Sequence, residues 1–257
     1  TGPETVPDIA STEVVDLIDY PDVDPVSSTD ADGAEMDIEP AGIDLEVTKT
    51  ISPDEQTEPD DSPVDVTLTG QPSGPSRTVE MVITDEDVTF FNQYDFVGFG
   101  PFSFTNPIDQ VQVDALTGGT FTATGDEVDR TGASWVNGTP GTSLALPAGV
   151  AAADVVGLRF TFTRADGALW ENPSTPTQTV VFQAQRRAEL RSGGPVLTDM
   201  AGNDPAPGEE NPGQGSDTIQ GDNRAADRIN GEPLTGHDEA TDTILYRHSK
   251  NAVEVSK

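Results

Sequence analysis

The chain contains no cysteine in its 257 residues. That excludes disulfides, thiolate catalysis and cysteine-ligated zinc. Outside a cell it must therefore hold itself together by core burial, by a metal or by some other crosslink. Basic residues are scarce: 13 Lys and Arg stand against 46 Asp and Glu, a net charge of −33. Such a surface excludes nucleic acid as a partner, because phosphate binding needs clustered Lys and Arg. It favours solubility and weak self-association. No stretch approaches the ~18 consecutive apolar residues that a spanning helix requires, so no membrane insertion is expected. Catalytic signatures are missing too. There is no G-x-S-x-G elbow, no phosphate loop and no His-x-x-x-His pair. His237, near Asp238, Glu239 and Asp242, has no hydrolase spacing around it, and His248 has no motif. The chain reads as a protein that is not an enzyme. It has neither an initiator Met nor a signal-peptide pattern, and Thr1 is expected to lie within a longer protein.

What is present begins with a phrase used twice. Glu46-Val47-Thr48-Lys49 returns as Glu254-Val255-Ser256-Lys257, 208 residues later. Only three lysines occur, and two of them end these phrases. The recurrence predicts one repeat of a tandem array. Residues 1–44 hold 13 acidic side chains and no basic one. They read as an acidic linker or the tail of a preceding repeat, with Ser11–Asp19 and Ala34–Ile38 able to form strands. The repeat itself is expected over 45–250, and 251–257 opens the next one.

From Ile43 the pattern alternates. Leu45, Val47, Lys49 and Ile51 share one face of a predicted strand, and Asp44, Glu46, Thr48 and Thr50 share the other. Further strands are expected at Val64–Thr69, Arg77–Thr84, Ile108–Leu116, Gly119–Thr124, Thr142–Leu146, Val155–Thr163, Thr177–Gln185, Ala188–Arg191 and Asp242–Arg247. One helical turn is expected at Ala148–Asp154. Residues 193–240, rich in Gly, Pro, Asn and Asp, are expected to be irregular. Many short strands bounded by turn residues predict an all-β, antiparallel Ig-like sandwich with extra strands and long irregular loops.

Val47-Thr48-Lys49-Thr50-Ile51-Ser52-Pro53 resembles the opening of Ig-like repeats in large cell-surface proteins of Gram-positive bacteria, especially actinobacteria. Asp154-Val155-Val156-Gly157-Leu158-Arg159-Phe160-Thr161-Phe162 resembles an internal strand of the same repeats. The resemblance covers roughly residues 45–250. It implies an exported, cell-wall-associated protein: a stalk or spacer of an adhesin or fibre, partnered by neighbouring repeats of its own polypeptide. Some of the resembled fimbrial domains carry Lys–Asn isopeptide bonds, with the acceptor on the last strand. That implies Lys49 as the amine, with Asn251, Asn230 and Asp242 as candidate acceptors. A lysine on an apolar strand face is unusual, because a buried ammonium is costly unless paired or neutralised. The alternative is a strand-end lysine that snorkels to solvent.

Two other groupings could bind ligands. Asp22 and Asp24 precede Asp30-Ala31-Asp32-Gly33 and Glu35, where alternating oxygens resemble a fragment of a Ca²⁺ loop. Asp217, in Gly213-Gln214-Gly215-Ser216-Asp217, fits part of a Ca²⁺ β-roll turn. Ca²⁺ at a domain junction would stiffen an array; a solvated acidic linker is the plainer alternative. Seven of the fifteen aromatics lie in Phe90–Phe104. Tyr94 and Phe96 in this run, with Trp135 and Trp170, would serve a glycan or a host or partner protein if exposed. If buried, they fill the core.

Overall fold

The computed structural model describes residues 4–15, 27–38, 42–57, 60–125, 127–172, 177–194, 196, 213–229 and 232–247. It divides into two units. The first is an antiparallel hairpin of β1 (Glu4–Val15) and β2 (Ser27–Ile38), in which Val6 lies opposite Met36 and Thr12 opposite Asp30. The second, which begins at Gly42, is an all-β sandwich.

Its smaller sheet has the order β3-β5-β14-β7, from β3 (Asp44–Ser52), β5 (Val64–Ser73), β14 (Gln178–Arg186) and β7 (Tyr94–Phe99). Its larger sheet runs β11-β8-β12-β6-β15-β16-β4, with β13 (Trp170–Glu171) also on β6. The members are β4 (Glu55–Thr57), β6 (Arg77–Asp85), β8 (Gln110–Thr117), β11 (Ser134–Val136), β12 (Val155–Thr163), β15 (Gly213–Ile229) and β16 (Glu232–Arg247). β9 (Thr120–Thr124) and β10 (Glu127–Thr131) form a separate hairpin. Neighbours pair antiparallel wherever a register is described, except that β16 runs parallel to β4.

Period-two alternation builds the core. β3 alternates exposed and buried over all nine residues, as its sequence predicts. Val64, Val66 and Leu68 of β5, Met81 and Ile83 of β6, Phe160 and Phe162 of β12, and Val180 and Phe182 of β14 point inward and are fully buried.

The structure departs from the sequence reading in several places. Thr142–Leu146 and Ala188–Arg191 form no strand. The first follows Pro140 and precedes Pro147, and Leu144 and Leu146 only lean on the core. Arg191 is held by its guanidinium, which donates to the Phe91 carbonyl and the Asp95 carboxylate. Of the turn expected at 148–154, only Ala152–Asp154 winds, as a single 3-10 turn. A short helix, α1 (Val88–Gln93), starts where Asp87 accepts the Phe90 amide as N-cap. The largest departure is at 213–240, which forms β15 and most of β16 instead of an irregular loop. Its glycines fit this role. A Cβ on Gly221 would collide with Val47 and sit 2.7 Å from Leu45 Cδ2, and one on Gly236 would lie 2.5 Å from the Asp44 Cα. These two strands cross so close to β3 that only glycine fits.

Candidate functional site

The site grows from the alternation of β3. Because Leu45, Val47 and Ile51 face the core, Lys49 must as well, and its side chain has 0% exposure. The same rule acts on β6. Met81 and Ile83 point inward, so Asp85, two residues on, does too. β6 is a central strand: Asp85 lies opposite Leu158 of β12 on one side and Ile219 of β15 on the other. Lys49 Nζ stands 2.7 Å from Asp85 Oδ2, and the aspartate side chain is also at 0% exposure. One salt bridge thus joins the edge of one sheet to the middle of the other across the dry core.

The surroundings are aromatic. Asp87 starts α1, and α1 brings Phe90 beneath the pair, with Lys49 Nζ 5.4 Å from the ring centroid. Phe90 stacks on Tyr94 at 4.8 Å and meets Phe91 edge-on at 5.4 Å. Burial pushes the Tyr94 phenol up to about 12, against the nearby Arg186 charge, which lowers it. The other aspartate oxygen, Asp85 Oδ1, is buried with no hydrogen-bond partner among the described residues. A charged pair in so apolar a place, with one lone oxygen, costs far more to leave unmade than a surface pair.

β16 seals the strand that carries Lys49. Val47 N donates to Asp238 Oδ2 at 2.9 Å, and Ile51 N donates to Asp242 Oδ2 at 2.7 Å. Both bonds span 191 residues, so β16 runs parallel to β3, attached by carboxylates where a backbone ladder would otherwise stand.

The other sequence candidates fall out as follows. The snorkel reading of Lys49 is overturned, since its amine is buried and paired. Asp242 lies beside the lysine strand, but Oδ2 takes Ile51 N and Oδ1 takes Thr243 N. Asn251, Asn230, Asp22 and Asp24 lie outside the described residues. Asp30, Asp32 and Glu35 belong to β2, and Asp217 to β15. Both segments are extended strands. No group of three or more His, Asp or Glu is placed to hold a metal among the described residues. Tyr94, Phe96 and Trp170 are at most 3% exposed and fill the core, which is the buried reading of the two and leaves them no surface for a ligand. Trp135 is half-buried under the Arg159 guanidinium, 4.6 Å from its ring. His237 is exposed, its Nδ1 2.9 Å from Asp222 Oδ1, and this bond raises its pKa.

Sequence reasoning missed Asp85. The available signal was the alternation Met81-Ile83-Asp85, carried one residue past the end of the predicted strand at Thr84.

No family model matches the chain, and no curated protein sequence does either. Among solved structures it is similar to AvmM, which catalyses macrocyclization in alchivemycin A biosynthesis. That likeness has 12% identity over 84% of this chain and 94% of the other, at a TM-score of 0.19. Clostridium perfringens delta-toxin is similar at 10% identity over 79% of this chain and 86% of the other, at a TM-score of 0.17. Likenesses this distant carry no functional weight.

Proposed function

We propose that this chain is a structural repeat, a stalk or spacer in a long extracellular surface adhesin or fibre, whose partners are neighbouring repeats of its own polypeptide. The observation that carries the reading is the Lys49–Asp85 pair, which clamps β3 to the opposite sheet at 0% exposure. The strand arrangement supports it. β3 opens the sandwich and β16 closes it, and the two run parallel, joined through Asp238 and Asp242. Tension along the chain pulls such strands in opposite directions along their length, so their lateral bonds are strained together and not one by one. Buried aromatics at 90–96 leave no ring platform there for a glycan. The high negative charge keeps neighbouring fibres apart.

Within this reading Lys49 makes a covalent brace. The neutral amine attacks a side-chain carbonyl, an amide bond forms, and the leaving group departs with the amine proton. Asp85 is either the proton relay for an asparagine acceptor, releasing ammonia, or itself the acceptor, one carboxyl oxygen leaving as water. The intact mass then falls by about 17 or about 18 Da respectively, the mass of the molecule eliminated. A mass equal to that of the sequence removes the covalent bond. The spacer role is read separately, by single-molecule pulling of the chain. The native protein should unfold at a clearly higher force than Lys49→Met, and equal forces would sink the mechanical role.

A further inference from the structure

We infer that the cavity beside Arg187 and Arg191 binds a small organic anion, one carboxylate on an apolar body, independently of the spacer role.

The cavity measures about 790 Å³ and lies between the β8–β9 turn, the segment leading into β12 and the segment that follows β14. Backbone bonds set its cationic wall. Arg187 N donates to the Gln93 carbonyl at 2.8 Å, and Arg191 N to the Asn92 carbonyl at 3.0 Å, both at the end of α1. The segment after β14 is thereby held against the start of β7, where Asp95 stands. Arg187 Nη1 and Arg191 Nη2 then donate to one and the same oxygen, Asp95 Oδ1, at 2.6 and 2.5 Å. Their Nε atoms donate to the Glu189 and Phe91 carbonyls. Each guanidinium is thus fixed at two nitrogens. The third, Arg187 Nη2 and Arg191 Nη1, has no hydrogen-bond partner among the described residues.

Two positive charges share one carboxylate oxygen there. Burial lowers the Arg191 pKa, the Asp95 charge opposes this, and the Arg187 charge lowers it further. An added anion relieves that repulsion, and the planar guanidinium fork matches a carboxylate. Because both forks are already held, little side-chain freedom is lost on binding. Arg130 takes no part, since its guanidinium donates to the Val156 and Glu86 carbonyls. Phe121, Val136, Val150 and Val156 also line the cavity and offer apolar contact to the body of the ligand. The volume falls within the ~300–1,000 Å³ of small-molecule sites. Asp154 lines it as well, so a dianion meets more repulsion than a single carboxylate does. The net charge of −33 repels anions at long range, but physiological salt screens exposed charges beyond about 8 Å.

The test is amide NMR of the full chain at physiological salt, titrated with N-acetylphenylalanine, with its uncharged amide and with inorganic phosphate. N-acetylphenylalanine at millimolar concentration should shift amides of 117–121 and 149–156, and the other two probes should bind at least about 10-fold more weakly. Asp95→Asn keeps the acceptor oxygen and removes the competing charge, so it should tighten binding by roughly 3- to 10-fold. Arg187→Gln should weaken it by a similar factor. Arg164→Gln makes the same charge change at the exposed Asp166 pair and should leave binding as it is. A pair that only holds the loop in place would give no gain in Asp95→Asn. No shift at those amides, equal binding of the uncharged amide or of phosphate, or unchanged or weaker binding in Asp95→Asn overturns the inference. If Arg187→Gln does not fold, Asp95→Asn decides alone. The mass and force measurements on Lys49 are independent of every one of these results.

Discussion

Lys49 Nζ lies 2.7 Å from Asp85 Oδ2, and neither side chain reaches solvent. Each charge is tolerated because the other is there. Removing one leaves an uncompensated charge in a core of Phe90, Leu158 and Ile83, which costs about 3–5 kcal/mol. Replacing both by apolar residues of similar volume removes the desolvation penalty together with the attraction. Chemical denaturation should therefore show Asp85→Ala strongly destabilised, and Lys49→Met with Asp85→Leu closer to the native protein than the two single losses sum to. Additive losses would mean that the two groups do not act as a pair.

The sheet positions around that pair were largely legible in sequence. The alternation through Leu45, Val47, Lys49 and Ile51 placed the lysine inward, and Val155–Thr163 was read to its exact ends, because both strands show a clean period of two. Asp85 was missed by one residue, since a charged side chain looks like the end of a strand when its partner is 36 positions away. α1 was hidden because its buried rings serve core and helix alike. β15 and the part of β16 before Asp242 were illegible for a different reason. Their glycines and aspartates have low strand propensity, and pairing with β6 and close approach to β3 override it. Propensity is local; the space beside Val47 is not.

The carboxylate seam predicts an edge effect. Asp238→Ala and Asp242→Ala should each cost about 1–2 kcal/mol, because each frees a part-buried amide that was bonded to a charged group. The loss should be local: amide exchange should quicken at Val47 in the first variant and at Ile51 in the second. Asp→Asn keeps an acceptor oxygen and should lose less. Equal exchange at both amides in all variants would remove the seam.

Gly221 predicts a steric effect. The space for its Cβ is filled by Val47 and Leu45. Gly221→Ala should therefore destabilise by about 1–3 kcal/mol through forced shifts in packed side chains. Gly98 is the control, since nothing lies within 4 Å of a Cβ placed there. Gly98→Ala should change the denaturation midpoint little, and an equal loss at both sites would place the effect in the backbone and not in the contact with β3.

His237 predicts a pH effect of definite sign. Its hydrogen bond to Asp222 raises the imidazole above its usual 6.5; burial opposes this, and the hydrogen bond to Glu239 adds to the rise. A folded value above the unfolded one means that the protonated form stabilises the fold. That contribution is fully present below the unfolded value and is lost as pH rises through the raised one. Native protein and His237→Gln should therefore differ most in denaturation midpoint near pH 5.5, and the gap should close by about pH 9. Both partners are more than half exposed, so the gap should also shrink in high salt. A gap that widens as pH rises would reverse the sign and show that the neutral ring is the form the fold prefers.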